Sequence, residues 1–218
     1  MTSQVDVCNM ALARIGSRNT IGTLTEASPE AQFCATFYSL ALDAALASFD
    51  WGFATASALL AQTGTPPPQW LYQYAIPDDC VRARGLRSST AIDPTTSPWL
   101  GLPGQESPDV GPVVDFERGY GVVAGVAGRV PVLWTNLAAA QLDYTARVDN
   151  PTVWEPLFVA VVAWRLAMEL AIPLTGSGGV MQAMTSGLAA SLAQAMPASR
   201  NTGVVIDTHI PDWLKVRG

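Results

Sequence analysis

Residues Leu157-Phe-Val-Ala-Val-Val-Ala-Trp-Arg-Leu-Ala-Met-Glu-Leu-Ala-Ile-Pro-Leu174 are almost continuously apolar, and Arg165 and Glu169 are the only charges among them. The run is long enough to cross a bilayer. Arg165, however, lies near its middle, where insertion costs roughly 2.5–3.5 kcal/mol, and neither flank is basic. Arg165 and Glu169 also stand four apart, on one helical face, and can pair with each other. The stretch therefore reads as the central helix of a bundle, covered by its neighbours and stopped by Pro173, with a membrane protein as the weaker alternative. Two start signals precede it, Asn150-Pro151 and Glu155-Pro156.

Helices are expected on both sides of this one. Downstream, Ser177 or Gly179 to Met196 places Val180, Met184, Leu188 and Leu192 on one face and small residues (Ala183, Gly187, Ala190) elsewhere. Near the amino terminus, Ser3 to Gly16 carries Val5, Cys8, Leu12 and Ile15 at helical spacing. Ser28-Pro29-Glu30 then joins an N-cap, a proline at the first helical position and an acid in the first turn. The helix it starts presents Phe33, Phe37, Leu40 and Ala44 on one face, widened by Leu42, Leu46 and Phe49. It is expected to bend near Asp50-Trp51-Gly52 and to run on through Phe53 to Leu60.

The middle third has a different texture. Thr63-Gly-Thr-Pro-Pro-Pro68 is a rigid turn, and Trp70 to Ile76 is aromatic and β-prone. Residues 88–112 are rich in Ser, Thr, Pro and Gly and read as a long loop or arm. Short strands are expected at Val113–Arg118, Gly121–Val126, Val130–Trp134 and Gln141–Val148. The expected fold is thus mainly α: a bundle of about four helices with a small antiparallel β insertion and an extended C-terminal tail. The expected domains are 1–197, with the insertion at about 63–148, and the tail 198–218. That tail carries Val204, Val205, Ile206, Trp213 and Leu214, which suit docking on a neighbour better than solvation, and these five are the candidate interface residues.

Composition narrows the chemistry. Of 218 residues only 14% are charged, against roughly 25% in an ordinary soluble domain, while 49% are apolar. The net charge is −6, with a single lysine (Lys215) and a single histidine (His209). A multi-histidine metal site and a lysine-bearing phosphate loop are thereby excluded, and the acidic balance lacks the basic excess of a nucleic-acid binder. Cys8, Cys34 and Cys80 are odd in number and widely spaced, so neither a disulfide framework nor a zinc site is expected. The amino terminus shows no basic start or apolar run, and synthesis in a reducing cytoplasm is the expectation.

Each enzymatic template finds little here. His209 lies in the tail without a nucleophile elbow, and the glycines at Gly119–Gly128 and Gly176–Gly179 read as turns. Carboxylates alone can hydrolyse sugar polymers when they stand about 5–9.5 Å apart. Asp78, Asp79, Asp143, Asp149 and Glu155 are the candidates for such a pair. The aromatics Trp51, Phe53, Trp70, Tyr72 and Tyr74 could stack on bases, but only Arg82, Arg84 and Arg87 cluster near them, and these suit carboxylate pairing equally well.

Several segments, taken together, carry a resemblance. Val7-Cys-Asn-Met-Ala-Leu-Ala-Arg-Ile-Gly16 precedes Ile21–Leu24 and Ser28-Pro-Glu-Ala31. Phe49-Asp-Trp-Gly-Phe-Ala54, Trp70–Tyr74 and Ile76-Pro-Asp-Asp-Cys-Val-Arg82 come next. Tyr144-Thr-Ala-Arg-Val-Asp-Asn-Pro151 then leads to Trp154-Glu-Pro-Leu-Phe158 and Leu170-Ala-Ile-Pro-Leu-Thr-Gly-Ser177. This order, over roughly residues 5–195, resembles the head-to-tail adaptor (tail tubular protein A) family of tailed bacteriophages.

The resemblance implies a structural virion protein, not an enzyme, with no cofactor and no catalytic or metal-binding residue to carry over. It implies a ring of twelve copies under the portal protein at the head–tail junction, a downstream tail or nozzle protein as a further partner, and no membrane. Genomic DNA would pass through the central channel without specific binding. The alternative is a cell-wall hydrolase of the tail acting through the paired carboxylates.

Overall fold

A computed structural model describes residues 2–88, 114–123 and 125–200. The chain divides into two compact units. The first comprises Met1–Ala58, Ile76–Gly85 and Leu142–Arg200; the second comprises Leu59–Ala75 and the described part of Leu86–Gln141.

The first unit is built around helices. In α1 (Gln4–Arg14), Ser3 and Asp6 form a reciprocal capping box, with the Ser3 N–H donating to Asp6 Oδ2 at 2.8 Å and the Asp6 N–H donating to Ser3 Oγ at 3.1 Å. In α2 (Pro29–Ala47), Ser28 caps the start by accepting from the Ala31 N–H at 3.4 Å. Its buried face is Ala31, Cys34, Tyr38, Ala41, Leu42, Ala45 and Leu46 rather than the expected Phe33, Phe37, Leu40 and Ala44. Leu40 is 53% exposed, and Phe33 and Phe37 stack on each other at 6.5 Å, only half-buried. Leu42 and Leu46, expected to widen the face, are buried, and they are joined by Tyr38 and by the small residues Ala31, Cys34, Ala41 and Ala45.

α3 (Pro156–Thr175) is the centre of this unit, and α1, α2 and α4 (Gly178–Arg200) all pack on it. Phe158, Val161, Val162, Ala163, Leu166, Ala167, Leu170 and Ala171 are buried there, which accounts for the apolar run in the sequence. Arg165 reaches Glu169 at 3.4 Å, as the four-residue spacing predicts. Pro173 does not stop the helix. The helix runs on through it and ends at Gly176, left-handed at φ +64, whose N–H bonds Ile172 O at 2.9 Å. Pro197 likewise lies inside α4, which continues to Arg200. On α4, Met184 and Leu188 are buried and Val180 and Leu192 pack beside them, on the expected face. Gly187 stands where a Cβ would meet the Trp164 ring at 2.5 Å.

The expected continuation of α2 through Phe53 to Leu60 is not helical. Trp51 is extended, a short 3-10 turn covers Gly52–Ala54, and β1 (Thr55–Leu59) comes after it. It belongs to a three-stranded sheet of order β1-β6-β3, in which β3 is Cys80–Ser88 and β6 is Ala140–Ala146. A second three-stranded sheet, of order β2-β5-β4, fills the second unit with β2 (Tyr72–Ala75), β4 (Phe116–Val122) and β5 (Arg129–Thr135). Here the strands expected at 113–118 and 121–126 are one strand.

Of the described residues 45% are helical and 23% lie in two antiparallel sheets. The fold is therefore mixed α and β, which corrects the expectation of a mainly α bundle with a small insertion. The tail residues Val204, Val205, Ile206, Trp213 and Leu214, and the arm 89–113, lie outside the described residues.

Candidate functional site

The candidate carboxylates are held in separate local partnerships within the first unit. Asp79 accepts from the Tyr144 hydroxyl at 3.1 Å, Asp143 from Ser57 Oγ at 2.6 Å, and Glu155 from Ser199 Oγ at 3.3 Å. Asp149 pairs with Arg147 at 2.9 Å, and the same guanidinium reaches Asp43 at 3.0 Å. Asp78 and Asp79 line a common cleft, of about 250 Å³, with Asp43, Cys80, Val81 and Arg147. Burial raises the Asp43 carboxyl against the opposing pull of Arg147. Asp43 carries no signal in the sequence because it sits inside an apolar helix, between Leu42 and Ala44. Among the described residues no group of three or more His, Cys, Asp or Glu converges as metal ligands.

Arg84 and Arg82, near the aromatics, also bond inside the first unit. Arg84 donates to Thr145 Oγ1 (2.9 Å), Thr55 Oγ1 (2.7 Å) and Trp51 O (3.0 Å), and it pairs with Asp50 at 3.1 Å. Arg82 reaches Asp50 at 3.4 Å and donates to Ala47 O at the end of α2. These contacts stitch β3 to β6 and to the chain after α2. Trp51 is fully buried, and Trp51 and Phe53 belong to the first unit whereas Trp70, Tyr72 and Tyr74 belong to the second. Full burial removes Trp51 from the stacking surface considered from sequence.

Two buried groups in the first unit are notable chemically. A hydrogen bond to Cys34, and then burial, push the Cys8 thiol up, so it is held protonated. Tyr38 is 7% exposed and its hydroxyl has no hydrogen-bond partner among the described residues. Burial first, then the charges of Cys8 and Asp149, push this phenol up. Tyr38→Phe is expected to stabilise the protein by about 1 kcal/mol, because an unsatisfied buried hydroxyl is removed. Above about pH 10 the unfolded phenol loses its proton while the native one keeps it, so the native state binds more protons and stability falls as pH rises. The substitution should flatten that alkaline loss. Urea denaturation at neutral and alkaline pH checks both effects, and a Phe variant less stable at neutral pH would show that the hydroxyl is satisfied.

A groove of about 670 Å³ lies in the second unit. Its construction starts from β5, which pairs with β2 (Ala75 opposite Val132) and β4 (Tyr120 opposite Pro131). Pro131 is tolerated in this central strand because it stands one position past the end of β2, where no N–H is required. On the far side of β2, residues 61–63 add a short edge: the Thr63 N–H donates to Gln73 O at 2.8 Å and the Ala75 N–H to Ala61 O at 3.1 Å.

Gln73, 1% exposed, then fixes the groove floor. Its amide donates to Val122 O at 3.1 Å and accepts from Trp134 Nε1 at 3.0 Å. Two strand glycines make room for these side chains. A Cβ on Gly121 would meet Gln73 Oε1 at 2.5 Å, and one on Gly119 would overlap the Trp134 ring. Gly119 is thus a strand residue and not the turn residue expected from sequence, and Gly121, expected to open a strand, lies near the end of one. Their spacing of two, which puts both on one face of a strand, is the signal that marks them. The Pro66–Pro67 turn and Tyr120 wall the groove, and Arg129 stands at its rim.

No family model matches this chain, and no curated protein matches it.

Proposed function

We propose that this chain is a head-to-tail adaptor of a tailed bacteriophage. In this reading twelve copies form a ring under the portal protein, hand the particle on to a downstream tail protein, and leave a channel that genomic DNA crosses without specific binding. The role is structural, at the head–tail junction of the virion, and no residue is assigned a catalytic part.

The observation that carries the reading is the ordered set of segments between residues 5 and 195. Distant members of that set pack together. Trp51 meets Phe49 and Phe158 edge-on at 5.4 Å and 4.8 Å, and Trp154 meets Phe158 at 5.2 Å. Segments separated by about a hundred residues thus share one aromatic cluster, as expected of features retained for a common framework rather than for a reaction. The outer face of α4 adds support. Its exposed positions include Met181, Gln182, Ala183, Thr185, Ser186, Ala189, Ala190, Ala193 and Gln194, and no charge occurs between Gly178 and Ser199. Depletion of charge suits a surface that is covered in an assembly.

Native mass measurement tests the proposal. The expected result is twelve copies bound per portal ring when the two proteins are mixed. Failure to bind the portal, together with clearing of cell-wall material in a zymogram by the folded protein, would replace the adaptor by the hydrolase.

A further inference from the structure

We draw no further inference here: the strongest candidate, the apolar patch that Tyr120 and Val122 leave exposed on one face of β4, carries nothing because nothing in the structure shows what covers it.

Discussion

Trp51→Ala is expected to destabilise the helical unit by about 4 kcal/mol and to lower its Tm by about 10 °C or more. Trp51 is fully buried, with Phe49 and Phe158 edge-on and Phe53 tilted at 6.5 Å. Its Nε1–H donates to Ala45 O at 2.9 Å. Removing the indole opens a cavity bounded by rings from two distant segments, and it can collapse only if α3 moves against the helices packed on it. Trp51→Phe should cost much less, about 1–2 kcal/mol. Most of the ring volume stays, and Ala45 O still accepts from Ser48 Oγ at 2.6 Å, so no carbonyl is orphaned. Thermal denaturation of both variants checks the ordering. An alanine variant within about 1 kcal/mol of wild type would mean that this cluster does not hold the unit together.

Trp51 also marks the point where local pattern stops deciding the structure. The starts of α1 and α2 are legible because a cap and its partner lie three residues apart, and α3 is legible because no other packing explains so long an apolar run with a pairable Arg165 and Glu169. The segment after Trp51 is ambiguous because Phe53, Ala56, Leu59 and Leu60 fit helical spacing as well as alternation. The extended backbone at Trp51, tied down by its bond to Ala45 O, decides for the strand. β3 is hidden in the sequence because Arg82, Arg84 and Arg87 make it look like a solvated run. Its arginines are accommodated by Asp50 and Thr145, which are remote in sequence.

Prolines mislead in a related way. Pro173 and Pro197 read as helix stops, yet both helices run past them. The pairing order β1-β6-β3 depends on contacts between residues about 60 to 90 positions apart, which local pattern does not encode. The groove has a local signature, Gly119 and Gly121 at a spacing of two, but its meaning requires knowing that Gln73 and Trp134 lie opposite. The low charge is legible from composition alone, and the uncharged outer face of α4 places part of that deficit on a surface.

Gly64→Val should be the most damaging single change in the second unit, costing about 3–4 kcal/mol. Gly64 has φ +59, where a side-chain-bearing residue pays roughly 1–2 kcal/mol and a β-branched one is a steric outlier. A Cβ there would also overlap Gln73 Nε2 and the backbone oxygen of Val122. The backbone oxygen cannot rotate away, so relief must come from Gln73, which gives up its 3.1 Å bond to Val122 O and loosens its hold on Trp134 Nε1. Overpacking of this kind adds roughly 1–3 kcal/mol. Asn at the same position tolerates the left-handed region better, so Gly64→Asn should show the clash without most of the backbone strain. Circular dichroism melts of the two variants separate the clash from the backbone strain. A valine variant within about 1 kcal/mol of wild type would show that the Gln73 bonds do not hold the second unit together.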